Sequence, residues 1–256
     1  MKKLMFLLLM LVFITGCNFG LDPVVPESSV ESRIGNLYED ELGVEIDIEE
    51  EEEAREEVES VSFKEAIENT KNLQSYRLRT ESSVMVPGRR SSFQVDQDVD
   101  LINSVAITRA FGQFSSLTRD FSEAYEFVRD VDLMYVQLTD DAIYVRVSYN
   151  GEIIEQTAPR GNEAFDINVL ENNGFIDVIK ECSHVEDTNI CNYDKDVSYT
   201  LSDNIQRIDR ERYAVVVEGE HIKEVVILFS NQGDTIIRQR FTISDHNRVS
   251  IKQLAN

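Results

Sequence analysis

The chain has 256 residues, with 25 basic against 48 acidic side chains and a formal net charge of −23. Such a surface repels nucleic acid and anionic headgroups, so nucleic acid is set aside as a partner and basic-patch attachment to membranes with it. The length suffices for one sizeable core plus a tail.

Lys2 and Lys3 precede an uninterrupted apolar run, Leu4 to Ile14, followed at once by Thr15-Gly16-Cys17. The run is too short to span a bilayer, which takes about 20 apolar residues. It has the flanks and length of a secretory signal. A cysteine directly after a small residue resembles the lipobox of bacterial lipoproteins. The resemblance implies diacylation of Cys17, cleavage before it, and a chain anchored to the outer face of a membrane in the cell envelope. Residues 1–16 are then the signal peptide.

Residues 17–60 carry a large share of the acid, including an unbroken run from Glu49 to Glu53, with Arg33 and Arg55 as the bases. Glutamates without basic partners three or four residues away do not support a helix, and the stretch reads as an extended, self-repelling tether. Ile34, Leu37, Tyr38, Leu42, Val44, Ile46 and Ile48 are apolar for a spacer. The other reading is therefore a short segment that docks on a partner or on the protein's own domain.

The folded domain is expected over 61–256. Ser62 and Glu65 form a capping-box pattern, and Phe63, Ala66, Ile67, Thr70 and Leu73 repeat at helical spacing. Alternation then replaces it. Tyr76 to Val86 and Phe93 to Leu101 make a hairpin around Pro87-Gly88, with Val95, Val99 and Leu101 on one side and Asp96, Asp98 and Asp100 on a solvated one. Val105, Ile107 and Phe111 suggest a third strand, and Phe114 to Val128 is read as strand. Strands follow at Leu133–Leu138 and Ala142–Tyr149, the latter with Ile143, Val145 and Val147 sharing a face. Phe165 to Cys182 reads as helix, broken at Asn172-Asn173-Gly174, with Phe175, Ile176 and Ile179 apolar. Five further strands are placed near Val197–Leu201, Arg212–Glu218, Ile222–Phe229, Thr235–Ile243 and Arg248–Lys252. Val225 to Phe229 is apolar on both faces, which asks for cover on both.

This order predicts an α+β fold, a large antiparallel sheet burying one face under few helices. Element order from the opening helix through Ser75-Tyr76 to the closing meander resembles the LolA/LppX-like lipoprotein-carrier half-barrels. The resemblance covers most of residues 62–253. It implies a curved sheet wrapped around helices with an apolar cavity between. A closed antiparallel barrel with a helical insert is the competing architecture.

No G-x-S-x-G, P-loop or G-x-G-x-x-G occurs, and His184, His221 and His246 have no metal-ligand spacing on one helix. No enzyme activity, cofactor or metal is expected. Cys182 and Cys191, an even pair in an exported domain, point to a disulfide. Cys182 and His184 with Cys191 as a metal site, or two reduced thiols, are the rivals. The ligand-binding candidates are Val95, Val99, Leu101, Ile143, Val145 and Val147 on strands, facing Phe175, Ile176 and Ile179. The expected function is to bind or carry an apolar ligand, a lipid or the acyl chains of a lipoprotein. The alternative is a non-enzymatic interaction or sensor protein with a filled core, whose acidic tether engages a protein partner.

Overall fold

The computed structural model describes residues 46–48, 61–86, 89–113, 131–149, 151–160, 167–172, 175–185, 189–200 and 207–254. Cys17, most of the tether and the strand expected over Phe114–Val128 lie outside them. Among the described residues no helix is long and apolar enough to cross a membrane.

The elements in chain order are β1 (Ile46–Ile48), α1 (Phe63–Lys71), β2 (Ser75–Val86), β3 (Arg89–Asp100), β4 (Val105–Gln113), β5 (Val131–Leu138), β6 (Ala142–Tyr149) and β7 (Glu152–Pro159). Then come α2 (Val169–Asn172), α3 (Phe175–Lys180), β8 (Ile190–Thr200), β9 (Arg207–Glu218), β10 (His221–Asn231), β11 (Asp234–Ser244) and β12 (Val249–Ile251). Ten strands form one sheet in the order β7-β6-β5-β4-β3-β2-β11-β10-β9-β8, antiparallel throughout. β7 and β8 are its two ends and do not pair with each other. The sheet is open, a half-barrel rather than the closed barrel.

α1 starts where Ser62 accepts a hydrogen bond from the Glu65 N–H, at 3.3 Å. Its inner side buries Phe63, Ala66 and Ile67. Thr70 fixes it to the sheet: its hydroxyl donates to the Ala66 carbonyl (2.7 Å) and accepts from the Ile222 N–H (2.9 Å). α2 ends at Asn172 and α3 begins at Phe175; Asn173 and Gly174 of the expected break lie outside the described residues. β7 is not placed by the sequence reading, although Asn150-Gly151 is a hairpin signal for the turn that precedes it. Its residues Glu152 to Glu155 are all exposed, so it lacks the apolar alternation that marks a half-buried strand. Gly151, at φ +76°, makes the turn into it.

Two expectations need correction. Asp96, Asp98 and Asp100 do not face solvent; they are 2%, 1% and 1% exposed. Arg77 grips Asp98 with two bonds, Nε to Oδ1 at 2.7 Å and Nη2 to Oδ2 at 3.1 Å. Arg79 grips Asp96 in the same way, at 2.9 and 3.3 Å. Burial pushes the Asp98 carboxyl up while Arg77 pulls it down. Alternation separates the two faces of a strand but does not say whether the polar face meets water or a cation on the next strand. On β10, Val225, Ile227 and Phe229 are buried but Val226 and Leu228 are only half-buried, so one face alone is closed over.

The outer face carries a second, smaller core of Val105, Ile107, Leu133, Tyr135, Val249 and Ile251. β12 lies against β3 and β2 there, and β1 pairs with β12, Ile46 opposite Ile251 and Ile48 opposite Val249. These three residues of the leader follow the docking reading, on the protein's own domain.

Candidate functional site

The inner, helix-covered face is the candidate. Of the nine residues nominated for ligand contact, Val99, Ile143, Val145, Val147, Phe175, Ile176 and Ile179 fall in one continuous buried cluster. Leu101, in the turn after β3, packs against its rim, and Val95 is buried on β3 without joining it. The strands thus bring together Val99 and Val147, about 50 positions apart in sequence, because β6, β5, β4 and β3 are consecutive neighbours with inward side chains in register.

The cluster extends further than the sequence suggests. Tyr213, Val215 and Val217 of β9, Val225, Ile227 and Phe229 of β10, and Ile237, Phe241 and Ile243 of β11 belong to it. Phe175 of α3 meets Phe241 edge to face, ring centroids 5.9 Å apart. A residue lining a water-sized void keeps accessible surface toward it. The nominated residues in the cluster keep almost none, so in this conformation they pack as core.

Among the described residues, two tyrosine hydroxyls tie the α2–α3 segment to the sheet. The Tyr76 hydroxyl donates to Asn168 Oδ1 (3.0 Å) and accepts from the Leu170 N–H (3.4 Å). The Tyr193 hydroxyl donates to the Val178 carbonyl (2.7 Å), and its ring stacks on Tyr213 at 4.5 Å. Burial pushes the Tyr193 hydroxyl up, keeping it a neutral donor. Cys182, just past α3, is bonded to Cys191 of β8, with Cα atoms 5.8 Å apart. The disulfide expectation holds, and the bond pins the end of α3 to a strand.

The histidines do not form a metal site among the described residues. His221 and His246 are nevertheless brought together, ring centroids 4.4 Å apart, by the start of β10 and the β11–β12 turn. Burial, and then the His221 neighbour and Arg248, hold His246 down to about 4. Nothing in their sequence spacing announces this pair.

No family model matches the chain, and no curated protein does. Among solved structures, an uncharacterized conserved protein from Thermus thermophilus aligns over 70% of this chain and 86% of its own, at 5% identity and a TM-score of 0.28. A LolA superfamily protein from Nitrosomonas europaea aligns over 75% and 93%, at 8% identity and a TM-score of 0.26. A DUF1329 family protein from Desulfovibrio piger aligns over 74% and 90%, at 10% identity and a TM-score of 0.23. Likenesses this faint bear no weight, and the half-barrel description stands on this chain's own strand order.

Proposed function

We propose that this chain is a non-enzymatic envelope lipoprotein, anchored by acyl chains on Cys17, that takes an apolar ligand between its sheet and helices. The observation that carries the reading is the inner face itself: an apolar surface running across β2–β6 and β9–β11, closed over by α1 and by α3 and α2, the last two helices of six and four residues. α2 and α3 are the short part of this cover and, in this reading, the part that moves aside while the strands stay paired. Apolar tails would replace them, gaining about 25 cal/mol per Å² of apolar surface removed from water. No titrating group takes part. Native mass spectrometry of the protein purified without detergent tests this, with bound lipid expected and a bare polypeptide mass counting against it.

The second reading is an interaction or sensor protein with a filled core, and the near-complete burial of Val99, Ile143, Val145 and Val147 favours it. Val145→Asp separates the two. Loss of bound lipid with the fold retained supports the carrier. Unfolding, with no lipid detected on the parent protein, supports the filled core.

A further inference from the structure

Gln239 of β11 and Ser82 of β2 are directly opposite across the ladder, on the inner face. They are 1% and 3% exposed. Among the described residues, Gln239 Nε2, Gln239 Oε1 and Ser82 Oγ have no hydrogen-bond partner. Opposed residues of an antiparallel pair hold their Cβ atoms about 5 Å apart, so the three unsatisfied polar atoms belong to one cross-strand pair. Each buried group left unpaired is destabilising, which an apolar residue of similar shape would avoid. The surroundings supply no reason for amide and hydroxyl here: Ile227 lies on the far side of Gln239, and Ile237 and Phe241 flank it along β11. Phe241 is the residue on which Phe175 of α3 rests.

The electrostatics narrow what these atoms would bind. Arg238 and Arg240 alternate to the outer face, where Arg240 faces Glu81 and Glu224 at 3.6 Å each. Among the described inner-face residues of the three cross-strand rows centred on Gln239, from β9 to β2, there is no cation. One row away Glu211 carries a buried carboxylate, to which the Tyr213 hydroxyl donates. Lys195, opposite Glu211 on the edge strand β8, is exposed. An anion seated at Gln239 would lose its water without gaining a counter-ion. A neutral carbonyl or hydroxyl would find two N–H donors, an O–H and acceptors.

We propose that Gln239 and Ser82 are the polar subsite of the inner face, and that they select neutral acyl-ester lipids over free fatty acids of the same chain length. The ester carbonyl accepts from Gln239 Nε2 or the Ser82 hydroxyl. A free glyceride hydroxyl donates to Gln239 Oε1, and the tail lies along the apolar rows. The proposal rests on the apolar-ligand reading above.

The test is displacement of a bound fluorescent acyl probe from the purified mature protein, by monopalmitoylglycerol and by palmitate, each below its aggregation threshold. Monopalmitoylglycerol is expected to displace at about tenfold lower concentration, equivalent to about 1.4 kcal/mol. Gln239→Leu should bring the two within about threefold while leaving the thermal midpoint of the lipid-free protein unchanged or higher, since an unpaired amide is removed. Ser82→Ala should do the same in part. Equal displacement by palmitate and the ester on the parent protein, or a preference that survives Gln239→Leu, overturns the subsite while leaving the carrier intact. A parent protein that binds neither probe nor lipid overturns the carrier and the subsite with it.

Discussion

The Asp100 carboxylate accepts the backbone N–H of Ile251, across 151 positions of sequence, at 2.9 Å. The same carboxylate accepts from the Asn103 N–H (3.0 Å) and from Asn103 Nδ2 (2.7 Å). With Ser75 Oγ accepting from the Val249 N–H (3.1 Å), and Tyr135 and Gln137 each accepting from the Leu254 N–H (3.0 Å), it straps the C-terminal segment over the outer face.

Asp100→Ala should therefore do two things. It leaves several donors without an acceptor, at a cost of about 2–4 kcal/mol by chemical denaturation. It should also raise amide hydrogen exchange over 249–254 before the ten-stranded sheet opens. Unchanged protection of that segment would mean the strap is held by its apolar contacts instead.

Arg77→Met should cost about 3–5 kcal/mol, because it leaves the buried Asp98 carboxylate without its cation. The double variant Arg77→Met, Asp98→Leu should recover much of that loss. A double variant as unstable as the single one would show that the cost lies in packing of the arginine stem.

His246 is held neutral in the fold, at about 4 against an ordinary value near 6.5. The unfolded chain then binds the extra proton first, so this group's contribution is complete above about pH 6.5 and is lost as pH falls toward 4. His221, Arg248, Asp245 and Glu220 are the charged or titrating groups acting on the pair. Between pH 7.5 and 4.5 the parent should lose about 2 kcal/mol more than His246→Phe does. Parallel pH profiles for the two proteins would remove the histidine from the account.

Reduction of Cys182–Cys191 should cost about 3 kcal/mol if the cross-link acts through the entropy of the unfolded chain. Protection should fall first around α3, whose end the bond ties to β8. Intact mass with and without reduction before alkylation checks that the bond is present in the isolated protein.

Cys17→Ala should move the protein from the membrane fraction to the soluble one, with no change in the circular dichroism of the folded domain. Continued membrane attachment with unchanged processing would contradict the lipobox reading.

The sequence by itself determined the element types along most of the folded part. Helical spacing from Phe63, alternation from Tyr76 and the final meander each follow from periods of 3.6 and 2, which local sequence carries directly. It also determined which side of β3 and β6 is apolar, since a one-residue slip would invert the whole set. For β7 it offered only the Asn150-Gly151 hairpin signal, since Glu152 to Glu155 are exposed and carry no alternation, and it read Asp96, Asp98 and Asp100 as wet although Arg77 and Arg79 alternate on the preceding strand. Only the tertiary structure decided what faces what. That β2 pairs with β11, that β12 lies on the outer face with β1 beside it, and that Gln239 meets Ser82 and His221 meets His246 are outcomes of strand order. Strand order is settled by contacts between residues up to about 200 positions apart. No local period encodes such contacts. They form because each pairing buries the apolar set of one strand against that of the next.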